Sequence, residues 1–201
     1  LFVEVSKILR NRNASDVPQT PFSARRESQA DARNFVIAVS GNPNCGKTTL
    51  FNGLTGSSQQ IGNWPGVTVE KKEGILLSSA SGTNTPVRVV DLPGVYNLSA
   101  FSEDERAARD FLLSAKPDLV LNVVDSTNLE RNLFLTLQLL EMGLPVVVVL
   151  TMMDLSRESG LRISTEVLSD ALGCPVVAVT ATDSSDIQTV RESIRAWVTT
   201  P

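Results

Sequence analysis

The sequence predicts an α/β domain with a mostly parallel central sheet and helices on both faces. Three observations carry that expectation. Short, wholly apolar runs alternate with stretches of helical periodicity from residue 35 to the carboxyl end. Loops rich in Gly, Asp and Thr follow the ends of those runs, where open α/β sheets place their ligands. At 201 residues the chain is long enough to bury one good core.

The elements follow in order. Residues 1–33 are rich in Asn, Ser, Pro, Gln and Arg and read as a polar arm or linker; the domain is expected over 34–201. Residues 35–39 form a buried strand, followed by a Gly-rich turn and a helix from 47 to about 54. Residues 57–67 read as a polar loop. Strands are expected over 67–77 and 87–91, separated by turn residues at 78–85. A second loop, 91–104, leads to a helix over 103–114, with Ser102 as N-cap and Glu105 completing a capping box. A strand over 119–124 precedes a helix over 128–141, in which Leu129, Leu133, Leu137 and Leu140 share a face. Residues 146–150 form a fully apolar strand. A helix over 161–172 is stopped by Gly173, and a last strand, 176–179, precedes a last helix, 185–198.

Composition narrows the function. The net charge of −4 argues against a general nucleic-acid binder, which needs a basic face to displace counterions. The arm holds six Lys/Arg and four acids, net +2, leaving −6 on the rest. There is no histidine, which removes the commonest general base and metal ligand. Cys45 and Cys174 lack metal or disulfide spacing. The longest apolar runs, such as 146–150, are too short to cross a bilayer, and residues 1–10 carry no signal-peptide pattern.

Gly41-Asn42-Pro43-Asn44-Cys45-Gly46-Lys47-Thr48 matches GxxxxGK[ST] completely, between a strand and a helix. Glycines let backbone N–H groups converge on an anion, and the following helix points its positive end at the phosphates. Lys47 supplies a point charge to the β and γ phosphates, and Thr48 a hydroxyl to Mg²⁺. Asp91-Leu92-Pro93-Gly94, after the strand at 87–91, suits a second phosphate element: Asp91 on Mg²⁺ through water, Gly94 N–H on the γ-phosphate. Asp154, in Thr151-Met152-Met153-Asp154, can accept two hydrogen bonds from guanine N1–H and its exocyclic amine, or can cap the following helix. Thr180-Ala181-Thr182 is a candidate base-backing loop. Thr68 is either a Mg²⁺ ligand or a strand-start threonine, and Trp64 is either a packed anchor or a partner contact, packing being preferred.

The P-loop, Gly62-Asn63-Trp64-Pro65-Gly66-Val67-Thr68-Val69-Glu70, the stretch Asp91 to Ser99 (DLPGVYNLS) and Asn122 to Glu141 (NVVDSTNLERNLFLTLQLLE) together closely resemble the GTPase domain of the bacterial ferrous iron transport protein B family, FeoB. The resemblance covers about residues 34–199. It implies a P-loop NTPase fold of Ras-like GTPase type, a slow GTPase using GTP/GDP and Mg²⁺, and a GDP/GTP switch that controls Fe²⁺ uptake. It implies a place on the cytoplasmic side of the bacterial inner membrane, with the protein's own C-terminal helical and membrane domains as partners. It implies nucleotide contacts from Asn42, Asn44, Cys45, Gly46, Lys47, Thr48 and Thr49, and from Gly66, Val67 and Thr68 in switch I. Asp91 and Gly94 open switch II; Thr151, Met152 and Asp154 form the guanine motif, and Thr180, Ala181 and Thr182 the last base loop. Catalysis then rests on Lys47, Asn44, Thr68 and Gly94. Mg²⁺ is held by Thr48, Thr68 and Asp91, and Asn44 helps bind K⁺ beside the phosphates, unless it only stabilises the P-loop turn.

Two departures stand out. Thr151 replaces the usual Asn of the guanine motif, and residues 1–33 precede the usual start of the family's GTPase domain, as an arm or the end of another domain. Val95 stands where a catalytic Gln usually follows DxxG, which opens the reading without hydrolysis. The competing functions are a ribosome- or tRNA-associated GTPase, a P-loop ATPase or small-molecule kinase, and an interaction module without hydrolysis. The sequence gives no oligomeric state and no iron site.

Overall fold

A computed structural model describes residues 35–56, 59–76, 86–179 and 184–199. The arm at 1–33, the expected turn at 78–85 and the expected base loop at 180–182 lie outside the described residues. The first strand, β1 (Phe35–Gly41), carries the P-loop at its end and leads to α1 (Lys47–Thr55). Then come β2 (Gln59–Asn63), β3 (Glu70–Ile75), β4 (Val87–Asp91) and α2 (Glu103–Ala115). A further strand, β5 (Leu119–Asp125), passes through a 3₁₀ turn (Ser126–Asn128) into α3 (Leu129–Glu141). The chain closes with β6 (Val146–Thr151), α4 (Met153–Glu158), α5 (Thr165–Leu172), β7 (Val176–Ala178) and α6 (Ser184–Thr199).

The seven strands form one sheet in the order β2-β3-β4-β1-β5-β6-β7. The five from β4 to β7 are parallel; β3 runs antiparallel to both β4 and β2. Alternate side chains of the apolar strands feed two cores. Ile37, Val39, Leu121 and Val149 pack with Leu50, Phe51 and Leu54 of α1 and Val190 and Ile194 of α6. Ala38, Val120, Val124 and Val148 pack with helices α2, α3 and α5 on the other face. The expected three-layer α/β architecture is therefore the observed one, and its parallel strands are buried on both sides.

Four expectations need correction. The polar segment 57–67 contains strand β2, paired with β3 from Gln59↔Gly74 to Asn63↔Glu70. Its sequence QQIGN has no strand pattern, because it is an edge strand held by the ladder rather than by burial; Ile61 is exposed. Correspondingly, β3 begins at Glu70 and not at 67. On α3 the most buried stripe is Leu129, Asn132, Leu133, Thr136 and Leu139, while Leu137 and Leu140 lie at its margin. An apolar-only reading skips Asn132 and Thr136. They are buried because Thr136 Oγ1 bonds to Asn122 Oδ1 at 2.5 Å and Asn132 receives the Asp125 N–H at 3.2 Å. Finally, the helix expected over 161–172 starts at Thr165, where Ser164 Oγ accepts from Val167 N at 3.2 Å. Before it, the short α4 ends at Glu158 with Ser159 as its C-cap, and Gly160, at φ 77°, turns the chain away from the helix. The capping box on α2 is present: Ser102 Oγ accepts from Glu105 N, and Glu105 Oε2 from Ser102 N.

Candidate functional site

The candidate site forms at the carboxyl ends of β1, β4 and β6. Gly41 ends β1 under the body of the P-loop. A Cβ there would stand 2.5 Å from the Val123 carbonyl oxygen and 2.8 Å from Cys45 Sγ, so only glycine lets the loop fold back over β5. Asn44 (φ 64°) and Gly46 (φ 89°) both take the left-handed conformation. Left-handed residues in such a loop are how chains form concavities of N–H groups that bind anions. Gly46 then starts α1, with Lys47 in its first turn.

The Asp91–Gly94 loop lies against this cradle. A Cβ on Gly94 would meet Pro43 Cα at 3.1 Å. Leu92 N–H donates to the Val39 carbonyl at 2.9 Å and Val95 N–H to that of Gly41 at 3.2 Å. Lys47 Nζ reaches Asp91 Oδ1 at 2.6 Å, with both side chains about nine-tenths enclosed. Burial pushes the Asp91 carboxyl above the ordinary carboxylate value, and the Lys47 charge only partly offsets it. The Cys45 thiol is buried and pushed up to about 11 by desolvation, so Cys45 offers the loop its backbone and no reactive thiolate.

Thr151 ends β6 fully buried. Its Oγ1 donates to the Cys45 carbonyl at 2.7 Å and stands 3.3 Å from that of Val124. The residue that stands in place of the motif's Asn thus ties the end of β6 to the P-loop, and its hydroxyl does not face solvent. Met152 takes φ 57° and redirects the chain into α4. Asp154 is exposed in the first turn of α4, whose N-cap position is taken by Met152. Asn42 is buried; Asn44, Thr48 and Thr49 are exposed around the cradle.

The residues expected in switch I are placed differently. Trp64 is 4% exposed and packs edge-on against Phe111 of α2 at 5.3 Å, with Lys71 Nζ 5.1 Å from its ring. This supports the packed-anchor reading. Trp64 N–H donates to the Val69 carbonyl at 2.9 Å, closing a tight turn through Gly66, Val67 and Thr68. Thr68 Oγ1 faces Glu103 Oε2 at 3.4 Å and bonds to no P-loop residue. Sequence reasoning missed Glu103. It also missed Arg131 and Gln138 of α3, which hold the segment after Gly94: Arg131 stacks on Tyr96 at 3.9 Å, and Leu98 N–H donates to Gln138 Oε1 at 3.0 Å. These contacts span tens of residues, and no local pattern marks them.

The cradle fits a polyphosphate and a hard divalent cation. It offers left-handed backbone donors, a lysine, and hydroxyl and carboxylate oxygens of the kind Mg²⁺ takes. Among the described residues, no group of three or more His, Cys, Asp or Glu could hold a metal unaided, so such a cation would lean on phosphate oxygens.

Fold and loop set define a P-loop GTPase domain. The family profile described as "Ferrous iron transport protein B" matches residues 35–194. The Fe(2+) transporter FeoB of Escherichia coli (strain K12) is 49% identical over 166 residues, which are 81% of this chain and 21% of that protein. The cytosolic domain of L. pneumophila FeoB superposes with TM-score 0.73 at 44% identity, covering 81% of this chain and 68% of that one. A GDP-bound mutant of the S. thermophilus FeoB G-domain superposes with TM-score 0.72 at 46% identity, covering 80% and 60%. The chain belongs to the ferrous iron transport protein B family, and it spans about a fifth of the length of the curated relatives it matches.

Proposed function

We propose that this chain is the GTP-binding and GTP-hydrolysing regulatory domain of a membrane ferrous iron transporter, whose GDP and GTP states control Fe²⁺ uptake. The observation that carries the reading is the meeting of three loops on one cradle: Lys47 on Asp91, Gly94 on Pro43, and Thr151 on Cys45. The GDP-bound G-domain of a relative supports the choice of nucleotide.

In this reading backbone N–H groups of 44–49 hold the phosphates and Asn42 steadies the loop. With nucleotide bound, Lys47 would turn from Asp91 to phosphate oxygens, and Asp91 and the Thr48 hydroxyl would be the residues that hold Mg²⁺. Bound Mg²⁺ supplies neutralisation of the developing phosphate charge. Gly94 N–H serves the γ-phosphate. Asp154 selects guanine, Met152 lines the base site, and 180–182 back the base. Thr68 joins the cation only by leaving Glu103, with Gly66 and Val67 moving alongside it. That exchange is the switch. Val95 is apolar and buried, so it cannot orient water and turnover is slow. Asn44 stands exposed at the cradle's rim, where with K⁺ it would add the missing positive charge.

Fe²⁺ passage belongs to membrane domains that follow this one, and the domain works on the cytoplasmic side of the inner membrane. No helix of the described residues is long and apolar enough to cross a membrane. Nothing favours the ribosome- or tRNA-associated alternative. The test is titration with labelled GDP and GTP in Mg²⁺: wild type binds both, and Lys47→Ala loses most of the affinity. Unchanged binding by the Lys47 variant removes the P-loop assignment.

A further inference from the structure

The phosphate-binding helix α1 has no basic residue in its last turn. Its terminal carbonyls still need donors, and a cation there would complement the helix dipole. Two of them are served from elsewhere. Gln59 Nε2 donates to the Gly56 carbonyl at 2.9 Å, and Arg191 Nη2, from α6, donates to the Gly53 carbonyl at 2.7 Å. Arg191 lies 138 residues away in sequence, yet it occupies the place of the missing local cation.

Packing makes this contact possible. A Cβ on Gly53 would stand 2.6 Å from Ile187 Cδ1, so the Ile187 side chain of α6 fills the space that a larger residue at 53 would need. Ile187, Val190 and Ile194 share a core with Leu50, Phe51 and Leu54. One end of α1 therefore carries Lys47 and Thr48, while the other is held by a guanidinium. The helix that holds it begins at Ser184, just beyond the segment 180–182 assigned to the base.

We infer that Arg191 is a positioning residue for phosphate binding. Its bond to the Gly53 carbonyl fixes α1, and with it Lys47 and the cradle, and so sets how fast the diphosphate leaves. The inference rests on the nucleotide reading above. Arg191 touches no nucleotide; it acts through α1.

The test uses the whole chain, labelled GDP chased with excess unlabelled GDP, and competition by GMP, which lacks the β-phosphate. Arg191→Met keeps the apolar stem and removes the charge. It should speed GDP release about fivefold, the scale of one charge at a helix end. Arg191→Lys should return the rate to within about twofold of wild type, since the dipole responds to charge. GMP affinity should stay within about twofold in both, because the β-phosphate is what the cradle holds. Unchanged GDP release in Arg191→Met overturns the inference, as does equal weakening of GDP and GMP, which is the mark of a merely structural role. If Arg191→Met does not fold, Gly53→Ala carries the test. It pushes Ile187 aside with Arg191 intact; faster GDP release with GMP affinity kept supports the inference, and unchanged release overturns it. A wild type that binds no GDP refutes the nucleotide reading itself, and this inference with it.

Discussion

Replacing Thr151 with valine keeps the shape of a fully buried side chain and removes only its hydroxyl. Two carbonyls face that hydroxyl, Cys45 at 2.7 Å in the P-loop and Val124 at 3.3 Å in β5. The Cys45 carbonyl loses a donor from a place that water does not reach easily. A buried polar group left unsatisfied costs about 1–3 kcal/mol. For a domain of this size each kcal/mol lowers the melting temperature by about 2–4 °C, so Thr151→Val should melt roughly 2–12 °C lower. The lost bond also frees the P-loop from the guanine loop. One neutral hydrogen bond is about 0.5–1.5 kcal/mol, so GDP affinity should fall between about twofold and tenfold. Because the tether acts on the loop and not on the base, affinities for GDP and IDP should fall in parallel. Melting curves and competition titrations check both quantities. A variant that melts with wild type, or that weakens GDP while sparing IDP, would refute the tether and return Thr151 to the base contact.

Three further outcomes follow from the site. Asp154→Asn should exchange guanine for xanthine preference, shifting the GTP-to-XTP affinity ratio at least about tenfold, since a charge-assisted bond is at stake; an unchanged ratio in a competition assay removes Asp154 from base selection. Asp91 has a folded pKa raised above its ordinary 3.8, chiefly by burial. Its contribution to stability is therefore present below that value and lost as pH rises through the folded one. The stability of nucleotide-free wild type minus Asp91→Asn, by denaturant titration from about pH 3 to 7, should decline with pH; a flat or rising difference contradicts the shift. GTP turnover should rise when K⁺ replaces Na⁺ at constant ionic strength, and Asn44→Ala should erase the difference. Equal rates in both salts would dismiss the potassium role and leave the GTPase reading intact.

The sheet was legible because its strands are buried on both faces. Residues 146–150 have no polar face to confuse the period, and turn chemistry at Ser102 and Gly173 marks the helix ends locally. The P-loop was legible because its chemistry needs particular residues at fixed spacing. Strand β2 was not, since an exposed edge strand gains its order from β3 and leaves no pattern in its own side chains. Asn132 and Thr136 were missed for the reverse reason: they are polar but buried, and their partners Asp125 and Asn122 sit on another element. Thr151 shows the limit most clearly. The motif gave its neighbourhood, but only the fold shows a hydroxyl spent on a carbonyl 106 residues away.

The contact between Gly41 and the Val123 carbonyl also bears on how the domain is made. Of the sheet's described strands β1 comes first in the chain, and it sits in the middle, between β4 and β5. Its register joins Phe35 to Val87 and Gly41 to Val123. A nascent chain therefore holds β1 unpaired through some fifty residues of synthesis, and the P-loop glycine meets the strand that supports it only after some eighty. Such non-local pairing is slow, and an unpaired apolar strand invites association with other chains. The phosphate cradle therefore gains its floor only when the third parallel strand, β5, has been made, with β6 and β7 still to follow.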